Sequence, residues 1–217
     1  MKTIIKTGQH RMTHASIEES IVDELLAQSN IDILYTDPPW GDRMVKWFAK
    51  LNEKQTGFLN SVISFDALLS RIFSLSKQHV TGYLCIECGK QSVESLAKRF
   101  QDEGLYQPKI IQSHYAGRRT CFSIVAGMDA AHPVDPVCND IKDLTGAAVS
   151  KEIIGRLKPY ISPDGNVFDP CCGMGFTARA AVAHGLTFYG NEVNALRLQK
   201  TIDYLSRTKP VQSNGAI

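Results

Sequence analysis

The 217-residue chain reads as an α/β protein built on one doubly wound, seven-stranded, mostly parallel sheet with a single antiparallel hairpin strand. Three observations predict this. Short apolar runs alternate with helical patterns almost from end to end, the signature of strand–helix–strand units. Two runs just past the midpoint are joined by Ala116-Gly117-Arg118-Arg119, a hairpin turn that adds the antiparallel strand. The length fits one domain with one substantial core. That domain is expected over residues 1–207, with a flexible tail over 208–217.

The elements follow in order. Ile4 to Thr7 is a short strand. Ser16 caps a helix to about Gln28, with Ile17, Ile21, Leu25 and Leu26 on one face. Ile31 to Thr36 is the second strand. A basic segment follows it, then a helix near Ser64 to Ser76 and a strand at Val80 to Glu87. Another helix spans Ser92 to Glu103. Lys109 to Tyr115 and Thr120 to Ala126 are the hairpin strands. Gly127 to Asp143 reads as a linker. Lys151 to Tyr160 is helical with Ser150 as its cap. Asn166 to Asp169, Thr177 to Ala183, Leu186 to Asn191 and Asn194 to Ser206 complete the chain as strand, helix, strand and helix.

Composition narrows the function classes. Hydrophobic content of 43% against 21% charged is that of a soluble globular protein. No apolar run approaches the roughly 18 residues of a membrane span, and Met1-Lys2-Thr3-Ile4-Ile5-Lys6 lacks the apolar stretch of a signal peptide. Six cysteines without a secretory signal point to a reducing cytoplasm. Cys85-Ile86-Glu87-Cys88 and Cys171-Cys172 are read as plain thiols, with no metal. A formal charge of +2 leaves nucleic-acid binding to the distribution of charge.

Asp37-Pro38-Pro39-Trp40 ends the second strand. A carboxylate, two prolines and an indole suit a flat ring that carries an exocyclic amine. Asp37 and the Pro38 carbonyl can accept its two N–H bonds and localise a lone pair otherwise delocalised into the ring. Pro38 and Pro39 stiffen the loop and lack N–H groups, and Trp40 offers a stacking face. The second motif is Val167-Phe168-Asp169-Pro170-Cys171-Cys172-Gly173-Met174-Gly175-Phe176-Thr177, a strand ending in a carboxylate and then a glycine turn opening a helix. Asn191-Glu192 closes the next strand with an acid suited to a ribose diol. No lysine follows the glycines as in a phosphate-binding loop. Ligands bind where such strands end, so both motifs belong on one rim.

Together these motifs resemble those of the amino-methyltransferases, which methylate adenine N6 or cytosine N4 with S-adenosylmethionine. The resemblance spans nearly the whole chain. The catalytic motif precedes the cofactor motif, the order of the family's β group. It implies a Rossmann-like class I methyltransferase with circularly permuted motif order. Asp37, Pro38, Pro39 and Trp40 would be the catalytic residues. Gln9, His10, Lys151, Asp169, Pro170, Cys171, Gly173, Gly175, Asn191 and Glu192 would hold the cofactor, with Gln9 where the group has aspartate and Cys171 where it has Phe. The acid heading the catalytic motif resembles the N6-adenine enzymes. The activity so implied is S-adenosylmethionine-dependent methylation of adenine N6 in DNA. The alternatives are an RNA adenine methyltransferase, a cytosine-N4 enzyme and an inactive nucleic-acid-binding scaffold. Dimers are frequent in the group.

Arg43, Lys46, Lys50 and Lys54 form one stripe if the segment after Trp40 is helical, and with Arg118 and Arg119 they are the candidate phosphate contacts. The family's usual target-recognition insertion is absent. The linker from Gly127 carries Asp129, Asp135, Asp140 and Asp143, which would repel phosphates.

Overall fold

Ile31–Thr36 (β3) is buried along its whole length, as a parallel strand covered on both faces must be. It appears so in the computed structural model, which describes residues 3–57, 62–115, 119–135 and 141–208. Before it come Ile5–Thr7 (β1), His10–His14 (β2) and Ser20–Leu26 (α1). After it come Asp42–Thr56 (α2), Phe65–His79 (α3), Val80–Gly89 (β4), Val93–Asp102 (α4), Tyr106–Tyr115 (β5) and Arg119–Gly127 (β6). Ala147–Leu157 (α5), Asn166–Asp169 (β7), Phe176–Ala183 (α6), Thr187–Glu192 (β8) and Ala195–Arg207 (α7) close the chain.

Among the described residues one sheet holds eight strands in the order β1-β2-β8-β7-β3-β4-β6-β5. β2, β8, β7, β3 and β4 run parallel; β6 is antiparallel to β4 and β5. The mostly parallel, doubly wound architecture is as expected. The eighth strand is a correction. β1 and β2 form a second antiparallel hairpin, where the sequence suggested one strand and an early helix. His10-Arg11-Met12-Thr13-His14 carries one aliphatic side chain, so its pairing with β8 leaves little local trace. Accordingly α1 starts at Ser20, not after Ser16.

Alternation along the central strands divides two cores. Leu34, Leu84 and Ile86 pack with α1, α3 and α4, while Ile33, Tyr35, Tyr83 and Cys85 pack with α5, α6 and α7. Cys85 and Cys88 fall in different cores, so this CxxC pair cannot converge on one ligand. The five described cysteines are free thiols. After β6, Val134 and Ile141 are fully or nearly buried in the second core. Lys109 pairs with Asp135 at 2.9 Å. Asp140 and the final residues 209–217 lie outside the described residues. Among the described residues no helix is long and apolar enough to cross a membrane.

Candidate active site

β3 and β7 are neighbours, with Leu34 opposite Phe168, so the loops that follow them open at the same rim. A cavity of about 260 Å³ lies there, lined by Asp37, Pro38, Pro39 and Trp40 from one loop and by Pro170 and Cys171 from the other. Asn191, Glu192, Asn194 and Arg197 wall it from the end of β8 and the start of α7. The two motifs, far apart in the chain, meet in one space.

The loop after β3 is held from within. Trp40 Nε1–H donates to Asp37 Oδ1 at 2.9 Å, and the indole meets Tyr115 edge-on at 5.4 Å between centroids. Gly89 ends β4 beneath that ring, where an added Cβ would stand 2.9 Å from Trp40 Cε3. The N–H of Gly41 donates to the Pro39 carbonyl at 3.1 Å. Among the described residues nothing donates to Asp37 Oδ2 or to the Pro38 carbonyl. Two acceptors therefore remain for the two N–H bonds of an amine. Burial pushes the Asp37 carboxyl up to about 6, against the opposing pull of the Trp40 N–H and the Arg197 charge.

The second loop is braced as well. Asp169 is 3% exposed; its Oδ1 accepts from the Cys171 N–H at 3.0 Å and its Oδ2 from the Thr177 hydroxyl at 2.6 Å. Burial raises it to about 7. It holds the glycine turn in shape from below and does not itself line the cavity. Gly173 has φ +51°, and a Cβ there would stand 2.9 Å from the Arg197 guanidinium; Gly175 has φ +80° and lies equally close to Thr201. Backbone conformation and the approach of α7 both require glycine at these positions. Glu192 Oε2 accepts from the Gly173 N–H at 2.7 Å and Oε1 from the Asn194 N–H at 2.9 Å. Both bonds fix the carboxylate with its face on the cavity. Asn191 is buried, bonded to Thr13 and to the Pro170 carbonyl.

Of the ten residues named for the cofactor, Pro170, Cys171, Asn191 and Glu192 line the cavity; Asp169, Gly173 and Gly175 of the glycine turn do not, and the other three lie elsewhere. Gln9 and His10 sit at the turn of the β1–β2 hairpin, at the opposite rim from the cavity. His10 is buried, and its Nδ1 accepts the Phe188 N–H at 3.0 Å. The unforeseen strand β2 carries the chain back across the sheet, so Ser16 and Ile17 beyond its end line the cavity instead. Lys151 is exposed on α5 and does not line the cavity, while Ser150 sits inside that helix and not at its cap.

Arg43, Lys46, Lys50 and Lys54 are exposed on α2, which is helical as the stripe requires. Arg119 is on the cavity wall, and Arg118 lies outside the described residues. Sequence reasoning missed Phe48, Tyr115, Asn194 and Arg197, which also line the cavity. The first belongs to an inward face with Val45 and Asn52, at spacings of three and four, which is a readable signal. Arg197 had none, since a cation in the first turn of a helix opposes the helix dipole and is ordinarily unremarked.

No family model matches the chain, and no curated protein matches it significantly. Solved structures do match. The crystal structure of the M1.HpyAVI–SAM complex is 19% identical, with a TM-score of 0.63 over 89% of this chain and 98% of that one. TTHA0409 from Thermus thermophilus, described as a candidate DNA modification methylase, is 16% identical, with a TM-score of 0.61 over 94% and 96% of the two chains. The fold is that of DNA methyltransferases. The cytosine-N4-specific PvuII DNA methyltransferase shares it more distantly, at 12% identity and a TM-score of 0.51 over 98% of this chain and 89% of that one. At such identities the likeness is one of architecture.

Proposed function

We propose that this chain is a DNA methyltransferase that transfers a methyl group from S-adenosylmethionine to the N6 amine of adenine. The observation that carries this is the shared cavity, which sets the free acceptors of Asp37 and Pro38 opposite Pro170, Cys171 and Glu192. The fold neighbours fit, since M1.HpyAVI and TTHA0409 were each crystallised with S-adenosylmethionine.

The residues present suit that cofactor. Glu192, oriented by two backbone N–H groups, has lone pairs left for a ribose diol. Pro170 and Cys171 give the wall an apolar stretch, and burial holds the Cys171 thiol protonated. When bound, the cofactor supplies an electrophilic methyl on a sulfonium. Asp37 Oδ2 and the Pro38 carbonyl accept the two amine N–H bonds and concentrate the nitrogen lone pair toward that methyl. Trp40 stacks on the base, which must leave the duplex at a cost of about a few kcal/mol. Asp37 orients and polarises, and the proton departs after the methyl has moved.

Adenine is favoured over cytosine by the acid at the head of the catalytic loop. Phosphates are held by Arg43, Lys46, Lys50 and Lys54 on α2 and by Arg118 and Arg119, without reading sequence. With only the short acidic segment after β6 in place of a recognition insertion, specificity is a short site or nearly none. Radiolabelled methyl transfer to duplex DNA, single strands and RNA, followed by nucleoside analysis, tests all of this. The expected product is N6-methyladenine in DNA, lost in Asp37→Ala while calorimetric cofactor binding persists. N4-methylcytosine, a product in RNA alone, or full activity of Asp37→Ala would overturn the reading.

A further inference from the structure

α2 presents two unlike faces. Val45, Phe48 and Asn52 face the cavity and line it. On the outer side Arg43, Lys46, Lys50 and Lys54 are exposed, and in their midst stands Trp47, 55% exposed and the most exposed large hydrophobic side chain described. An indole this open forgoes a large share of the burial its area offers. Its edge is pinned against Phe48, with centroids 4.8 Å apart and planes at 75°. Phe48 in turn carries the Arg197 guanidinium 4.8 Å from its centroid. A file of aromatic and cationic groups thus runs from solvent to the cavity.

The charges around Trp47 are unspent. Among the described residues none of the four cations makes an ion pair. Of the two acids on α2, Asp42 already accepts the Phe65 N–H at 2.7 Å, which leaves Glu53. Arg43 to Lys54 span about 16 Å of axis at 1.5 Å per residue. The helix begins two residues beyond Trp40, so whatever lies along it is next to the cavity. An exposed aromatic among unpaired cations has the chemistry of a single-strand nucleic-acid surface, in which rings stack on bases and cations follow the backbone. A protein-docking face would instead be depleted of lysine.

We propose that Trp47 is a stacking platform for an unpaired nucleotide flanking the target base, with Arg43, Lys46, Lys50 and Lys54 holding the adjoining phosphates. This rests on the proposed function and names the form of substrate taken by that same site: a polynucleotide locally single-stranded beside the reacting base. Stacking there compensates for pairing lost when the base is extruded.

The test uses the full chain with cofactor present. Binding of a labelled adenine-containing single strand and of its duplex is followed by anisotropy for the wild type, Trp47→Phe and Trp47→Ala, together with methyl transfer at sub-saturating substrate. Trp47→Ala is expected to weaken single-strand binding about tenfold and to raise KM with kcat little changed, while Trp47→Phe stays within about threefold. Replacing Lys46 and Lys50 by Gln should lower the salt slope by about two. Cofactor affinity and melting temperature should be unchanged throughout. Equal binding by wild type and Trp47→Ala, or an altered oligomeric state with unaltered nucleic-acid binding, would overturn the proposal. If the wild type binds strands through Trp47 yet transfers no methyl, the functional reading fails and this one stands. If methyl transfer by Trp47→Ala is normal at low substrate, the reverse holds.

Discussion

Of two roles for Trp40, its position in the sequence revealed only one. The proposed stacking on the base was legible from an indole beside a carboxylate. The donation from its Nε1–H to Asp37 was not, because it depends on the loop doubling back over three residues. That bond fixes the ring and leaves Asp37 one free oxygen aimed at chemistry. Gly89 supplies the floor, so its lack of a Cβ is a requirement of close approach and not of backbone conformation. Gly89→Val would push the indole off its seat. We expect methyl transfer to fall by about 10- to 100-fold, with cofactor affinity preserved in calorimetry. A variant as active as the wild type would mean that the ring position is set elsewhere.

Among the elements, β3 and β7 matter most, because their adjacency makes the cavity. It is secured at the far end by Asp32, a buried residue whose carboxylate accepts the Asn166 N–H at 2.8 Å and the Ser162 N–H at 3.3 Å. Asp32→Ala leaves two backbone donors unsatisfied. The expected loss is about 1–3 kcal/mol of stability, measured by urea denaturation, with an unchanged slope. Strands with continuous aliphatic runs, such as Ile31 to Thr36, were legible because burial on both faces demands them. β2 was not, because its partners, Tyr189 to Glu192, lie some 178 residues away in sequence and its own composition is polar. One missed strand moved Gln9 and His10 to the wrong rim.

At the scale of the whole molecule the rim is a concentration of acids. Asp37 stands at about 6 and Asp169 at about 7, both raised chiefly by burial. Glu87, hydrogen-bonded by the Tyr35 hydroxyl at 2.5 Å, is raised well above the usual range by burial and by Asp37. Raised values mean that the folded chain holds these protons more tightly than the unfolded chain does. Their contribution to stability is full below about pH 4 and is lost as pH rises through about 6 for Asp37 and about 7 for Asp169. A ligand carrying an ammonium and a sulfonium reverses the balance, since it favours the ionised carboxylates. Affinity for S-adenosylmethionine should therefore climb about tenfold or more between about pH 5.5 and 8, read by calorimetry. The cofactor's thermal stabilisation should grow in step. A flat profile would show that these carboxylates keep one protonation state throughout.

By itself the sequence determined the alternation of strand and helix and the two loops that carry chemistry. Both are local consequences of periodicity, of proline and glycine, and of carboxylates placed at strand ends. Only the tertiary structure decided which side chains share the cavity. Phe48, Tyr115 and Arg197 arrive there through the packing of α2, the β5–β6 hairpin and α7 against the rim, and Gln9, His10 and Lys151 do not arrive at all. Strand order is a property of pairings between distant segments, and no single segment carries that information.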